Sequence, residues 1–306
     1  MSNIIADKYL FDEVLFQCEL KQQNQPLATF KETLKNGYDY LTEEFKSGEN
    51  IELIVKKQGW LIDQLLIVAW QQFVDSEDFS LVAVGGYGRS ELLLASDIDL
   101  MIIEKRWANK KCKQKISSFL TFLWDFGLEV GHSVRTISEC QYEAKNDITI
   151  MTNIMESRLL CGNEKLYEKM RNATSPKKIW PARKYFEAKL IEQKTRHEKY
   201  NDSESKLEPN IKESPGGLRD IQMISWVAKR HFDNIDLSSL VTHKFLTKDE
   251  YKLLETGRNL LWRVRFALHM TTNRREDRLL FEYQRPVAEL NGFASKDNKG
   301  IEEFMK

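Results

Sequence analysis

The sequence predicts an α+β protein: a small mixed-sheet domain flanked by an N-terminal and a C-terminal helical region. Three observations carry this reading. Apolar residues recur at three- and four-residue spacing across residues 1–75. At Ser80 the pattern changes to short apolar runs interrupted by a glycine-rich turn. After Asp147 the helical period returns. A chain of 306 residues with only 14 Gly and 6 Pro favours long helices, and its length suits about two domains.

In the N-terminal region, 1–75, Phe30, Leu34, Tyr38, Leu41 and Phe45 share one helical face, and Ile51, Ile54, Val55, Leu61, Leu65 and Val68 continue the theme. Breaks fall near Asn24–Pro26 and Ser47–Asn50, where turn and cap residues cluster. In the middle region, 76–165, Leu81–Val84 reads as a buried strand ending in Gly85-Gly86. A turn or short helix over Arg89–Leu94 leads to a second strand over Asp97–Ile103. Lys111–Phe126 is an amphipathic helix, and Leu128–Ile137 a third strand. The last region, 166–306, reads as helices over Ala182–Tyr200, Leu218–Phe232 and Thr247–Met270, with Thr247 as an N-cap. A polar loop over Asn201–Glu208 and the turn Ser214-Pro215-Gly216-Gly217 separate the first two.

Composition excludes several classes. With 46 basic and 46 acidic side chains the formal net charge is zero, which argues against a coat for nucleic acid or anionic membrane. The longest apolar run, Leu65–Trp70, is far short of a membrane span. Residues 1–20 carry acids inside their apolar stretch, unlike a signal peptide. Cys18, Cys112, Cys140 and Cys161 have no metal-ligand spacing and read as reduced thiols. A cytoplasmic protein without membrane or nucleic-acid partners is expected.

The chemistry concentrates in Val84-Gly85-Gly86-Tyr87-Gly88-Arg89-Ser90-Glu91 and Ser96-Asp97-Ile98-Asp99-Leu100. Carboxylates at i and i+2 on a strand point to one face and repel unless a divalent cation holds them. Glycines after a strand allow positive φ and close backbone approach to phosphate oxygens. Arg89 adds a cation for a polyphosphate. No GxxxxGK[ST] string is present, and Gly86–Glu91 lacks the third glycine of a dinucleotide fingerprint. The plain alternative is a tight turn beside a solvated strand end.

Gly85-Gly86, ten residues, then Asp97-Ile98-Asp99 resembles the nucleotidyltransferase signature hG[GS]…[DE]h[DE]h. The wider neighbourhood resembles the bacterial PII uridylyltransferase family. Gly127–Thr136, Lys212–Ile221 and Trp262–His269 agree with it, so the resemblance covers at least residues 80–290. It implies a DNA polymerase beta-like nucleotidyltransferase domain that moves UMP from UTP to a tyrosine of the trimeric PII signal protein, with release of pyrophosphate. It implies Mg²⁺ or Mn²⁺ on Asp97 and Asp99, and the triphosphate on Gly85, Gly86, Arg89 and Ser90. Lys212 and Arg219, flanking the second glycine turn, have either a nucleotide-facing or a domain-joining role. Asp220 reads equally as a first-turn acid.

The family pattern also leaves questions open. A third carboxylate is usual on the next strand. Comparison with sister adenylyltransferases puts Gly131 at that position, while Glu129 lies two residues earlier on the same face. Glu129 is therefore either the third catalytic acid or a surface carboxylate at the strand end. His132 is expected to be packed between Val130 and Val134. The arginines 258, 263, 265, 274, 275 and 278 are expected on a solvated face. No His-Asp dipeptide occurs, so neither the family's uridylyl-removing HD domain nor its glutamine-sensing ACT modules are expected in this stretch. A transferase fragment without hydrolytic activity or glutamine response is expected. The alternatives are an adenylyltransferase acting on protein or RNA, or an inactive fragment that binds nucleotide or PII.

Overall fold

The computed structural model describes residues 7–23, 25–74, 76–107, 110–200, 207–232, 237–293 and 298–306. They form two compact units, Met1–Leu92 with Ser96–Ser175, and Leu93–Ala95 with Pro176–Lys306.

The first unit opens with α1 (Glu13–Gln23), α2 (Pro26–Lys46) and α3 (Ile51–Phe73). Pro26 starts α2, where its missing N–H costs nothing. Asn50 caps α3 by accepting from the Glu52 N–H at 2.8 Å. α3 is apolar nearly all round, and Ile54, Leu61, Ile62, Leu65 and Leu66 are fully buried.

Then comes a four-stranded mixed sheet: β1 (Phe79–Ala83), β2 (Ile98–Glu104), β3 (Val130–Thr136) and β4 (Arg158–Gly162), in spatial order β3-β2-β1-β4. β1 runs antiparallel to β2 and β4. β3 runs parallel to β2, which requires a crossover. Between β1 and β2 lies the short α4 (Gly85–Gly88), and α5 (Lys110–Asp125) makes the crossover. β1 is buried throughout, and Leu100–Ile103 of β2 are buried on both faces, hence their unbroken apolar run. α6 (Ile137–Asn146), α7 (Ile148–Met155) and α8 (Glu164–Ala173) complete the unit.

The predicted α+β class and the three predicted strands are present. Three local expectations are corrected. The helical turn after β1 is the glycine segment itself, and Arg89 is its C-cap rather than the start of a helix. Residues after Asp147 include a fourth strand, β4, which pairs with β1 around a register shift at Leu81/Val82. His132 is exposed, because β3 is an edge strand; its ring lies 5.5 Å from that of Trp124.

The second unit contains α9 (Ala182–Tyr200), α10 (Leu218–Phe232), α11 (Ser239–Thr242), α12 (Lys248–Thr272), α13 (Phe281–Leu290) and α14 (Lys299–Phe304). Thr247 caps α12 in a full capping box with Glu250, as its position predicts. Of the loop expected over 201–208, residues 201–206 lie outside the described residues. The arginines near the end of α12 are not all solvated: Arg265 is buried and pairs with Asp277. Among the described residues no helix is long and apolar enough to cross a membrane.

Candidate functional site

β1 delivers the glycine turn beside the start of β2. Ala83 faces Leu100, and the Val84 N–H donates to the Asp99 carbonyl at 3.0 Å. Gly85 follows at φ +59, a conformation that L side chains rarely adopt. Asp97 immediately precedes β2 and Asp99 is its second residue, so the pleat sends both carboxylates to one face.

The parallel register sets Asp99 opposite Gly131. A Cβ on Gly131 would stand 2.7 Å from Asp99 Oδ1, and one on Gly85 would stand 3.1 Å from Asp99 Oδ2. Asp99 thus occupies a slot that exists because both neighbours are glycines. The Ile98 N–H donates to the Glu129 carbonyl at 3.0 Å, at the edge of the paired register. The Glu129 residue is exposed at the entry to β3. Among the described residues no three His, Cys, Asp or Glu side chains gather as a metal cluster. Two hard carboxylates fit a cation that completes its shell with water and phosphate oxygens, as Mg²⁺ does.

Gly131→Ala is expected to push the Asp99 carboxylate aside while leaving the backbone in place, since the obstructed group is a side-chain oxygen. Any activity that depends on the acid pair should fall about 10²-fold, the usual cost of misplacing reacting groups by about 1 Å. Steady-state kinetics beside a urea midpoint would test this; an equally active variant would refute the slot's importance.

A buried network that the sequence reading missed holds the turn from behind. Tyr87 is fully buried, and its hydroxyl donates to Asp63 Oδ1 at 2.6 Å. Arg158 of β4 grips the same carboxylate with both Nη atoms, at 2.7 and 3.0 Å. Burial, then the Asp63 carboxylate, pushes the Tyr87 phenol well above its usual pKa, so it remains a donor. The available signal was Asp63 itself, an acid inside the apolar run Leu61-Ile62-Asp63-Gln64-Leu65-Leu66. Gly88 packs against backbone: a Cβ there would stand 2.2 Å from the Glu156 carbonyl oxygen.

Arg89 turns its guanidinium to Glu91 at 2.7 Å and Glu156 at 3.1 Å. Burial opposes its charge, but these carboxylates outweigh burial and hold its pKa above the ordinary value. Ser90 adopts φ +59, and Gly86 accepts from the Glu91 N–H at 3.0 Å. Gly85, Gly86, Arg89, Ser90, Asp97, Asp99 and Glu129 all belong to the first unit.

Lys212 and Arg219 belong to the second unit. Arg219 donates to Glu213 at 3.0 Å and to Gln222 at 3.1 Å, with its guanidinium 5.4 Å from the Trp226 ring centroid. Asp220 ties the second glycine turn to α9. It accepts from the Gly216 N–H at 2.8 Å and Gln193 Nε2 at 2.8 Å, and also meets Arg196 and His197. Burial, then Arg265 and Arg219, pulls the Lys212 ammonium down to about 8.

This shift gives a signed prediction. The folded chain releases the Lys212 proton near pH 8, the unfolded chain near its ordinary value of 10.5. Between those values the unfolded state binds more protons, so the Lys212 contribution to stability rises with pH. Below pH 8 the cost of burying the charge is felt in full. Lys212→Met should therefore raise the melting temperature by several degrees at pH 7, with the gain shrinking as pH climbs from about 8 to 10.5. A gain that persisted at high pH would contradict this, as would a loss at pH 7.

Comparisons with known proteins bear on both units. Residues 66–160 match the nucleotidyltransferase domain family, whose members generally use divalent metal ions, and residues 184–306 match the GlnD PII-uridylyltransferase family. The chain is 48% identical over 303 residues to the bifunctional uridylyltransferase/uridylyl-removing enzyme of Ectopseudomonas mendocina, covering 98% of this chain and 34% of that protein. Its identity is 47% to the same-named enzyme of Azotobacter vinelandii and 48% to that of Pseudomonas fluorescens, each over 304 residues and with the same coverage. The chain spans about a third of the length of the curated relatives it matches. With a nucleotidyltransferase-domain match at residues 66–160, a uridylyltransferase match at residues 184–306 and 48% identity along 98% of its length to a relative of that name, this chain belongs to the PII-uridylyltransferase family.

Proposed function

We propose that the chain transfers UMP from UTP to a tyrosine hydroxyl of the trimeric PII signal protein, in the cytoplasm, with release of pyrophosphate. The observation that carries this reading is the Asp99 carboxylate held between Gly85 and Gly131, on one strand face with Asp97, at the end of a glycine turn. The names of the relatives and of the matching family support a uridylyl donor and PII as the acceptor.

Asp97 and Asp99 would hold Mg²⁺ or Mn²⁺, which would lower the acceptor hydroxyl's pKa and offset charge building on the α-phosphate. The tyrosine oxygen attacks the α-phosphorus, and the bond from that phosphorus to the α–β bridging oxygen breaks. Backbone N–H groups of Gly85 and Gly86 orient the phosphates, with Arg89 and Ser90 at the end of the same turn. Glu129, whose carbonyl accepts from the Ile98 N–H next to Asp97, takes the tyrosine proton. For Lys212 and Arg219 the family resemblance is what supports a nucleotide-facing role.

Intact-mass spectrometry of PII after incubation with the chain, Mg²⁺ and UTP tests the proposal. A gain of one UMP per PII subunit is expected, absent with the Asp97→Asn/Asp99→Asn variant. A gain only with ATP would make the chain an adenylyltransferase. Silence with both nucleotides would refute transfer by this chain.

A further inference from the structure

One motif of the second unit, Trp262–His269, reaches three residues that lie in the chain between the glycine turn and the acid pair. Leu93–Ala95 belongs to the second unit, although it connects two segments of the first. Leu93 is only 2% exposed. The Ala95 N–H donates to Nδ1 of His269, near the end of α12, at 3.3 Å. Asp97, the first acid of the pair, is two residues further along the chain.

The polarity of that bond is fixed. A backbone N–H only donates, so Nδ1 presents its lone pair and Nε2 carries the proton. Nε2 faces Asp277 Oδ1 at 3.9 Å, beyond hydrogen-bond length. Asp277 is gripped in turn by buried Arg265, one helical turn before His269 on α12. Burial works against the Asp277 charge, but His269 and Arg265 prevail and hold the carboxyl well below its usual range. The Asp277 carbonyl also accepts from the Ile211 N–H at 2.8 Å, next to Lys212. A half-buried series of neighbours therefore runs from Ile211 through Asp277 and His269 to Ala95.

Building on the transferase reading above, we infer that His269 is a positioning residue. Its Nδ1 fixes the Ala95 backbone, and through it the approach of Asp97 to the metal–nucleotide site. A bond between a helix side chain and the backbone two residues before a ligand restricts that ligand's φ/ψ path without touching substrate.

Conservative substitutions separate this role from a packing role. In His269→Asn, Oδ1 lies one bond from Cγ, as Nδ1 does, and can accept from Ala95. In His269→Gln the amide lies one carbon further out and mimics Nε2 instead. Three readouts on the same chain decide: hydrogen exchange of the Ala95 amide, Mn²⁺ binding in the presence of UTP, and UMP transfer. The expected result for His269→Gln is Ala95 exchange accelerated by about tenfold or more, a severalfold higher half-saturating Mn²⁺ concentration, and transfer lowered at least about tenfold. His269→Asn should restore all three to near wild type. Faster Ala95 exchange with unchanged Mn²⁺ affinity and transfer would overturn the inference, as would equal behaviour of the Asn and Gln variants. If the wild-type chain binds no Mn²⁺ with UTP, the transferase reading fails first and the positioning role with it.

Discussion

Asp99→Asn should reduce UMP transfer by on the order of 10³-fold or more while leaving the urea midpoint of unfolding essentially unchanged. Asparagine keeps the shape of the side chain and so still fits between Gly85 and Gly131, where a Cβ on Gly131 would meet Oδ1 at 2.7 Å. The negative charge is lost, and one acceptor oxygen becomes an NH₂ donor. A carboxylate in such a slot matters for the cation it can hold, so the effect should fall on the chemical step and on metal affinity, not on folding. Single-turnover transfer at saturating UTP and a parallel denaturation curve would measure both. A fall smaller than tenfold would mean that the acid pair is a strand-end feature of the fold and not its reactive centre.

The features behind that prediction were legible because they are local. Strand, glycine turn and acid pair fall within Ser80–Ile103, where period-2 apolar runs and glycines are strong short-range signals. The cap of α12 was legible for the same reason, since Thr247 and Glu250 stand at capping-box spacing. The supports of the site are non-local and were not legible. Asp63, Tyr87 and Arg158 meet across three elements, and nothing in the residues around Arg158 announces its bidentate grip on Asp63. β4 was missed because Leu159-Leu160-Cys161 is a short apolar run between helical segments and its pairing partner, β1, lies far earlier in the chain. His132 was misplaced because alternation with Val130 and Val134 marks a shared face without saying whether anything covers it. The structure leaves Val134 40% exposed.

Gly88→Ala should be the most damaging single-methyl change to folding in the first unit. The added Cβ would come within 2.2 Å of the Glu156 carbonyl oxygen and 3.0 Å of the Ala83 carbonyl oxygen. Both obstacles are backbone, so no rotamer change relieves them. Ala83 is the last residue of β1, and Glu156 is the C-cap of α7, with its carboxylate buried against Arg89. Relief would have to shift the glycine turn against β1 and α7 together. Overpacking of this kind costs about 3 kcal/mol, perceptible against a total stability of about 5–15 kcal/mol. The urea midpoint should fall accordingly, and transfer should fall with it. Gly86→Ala provides the contrast, because a Cβ there would meet its nearest neighbours at 3.7 and 3.8 Å, ordinary contact distances. Equal stability of the two variants would show that the close approach at Gly88 is not a constraint on the fold.

The central claim is that Asp97 and Asp99 form, with the glycine turn, a metal–nucleotide centre. Its most direct test is anomalous diffraction from crystals of the chain soaked with Mn²⁺ and a non-hydrolysable UTP analogue. The account predicts an anomalous peak bonded to Asp97 and Asp99, with analogue phosphate oxygens completing the coordination and the triphosphate lying along Gly85 and Gly86. Nucleotide density without a manganese peak at the two carboxylates, or a manganese peak elsewhere in the chain, would contradict it.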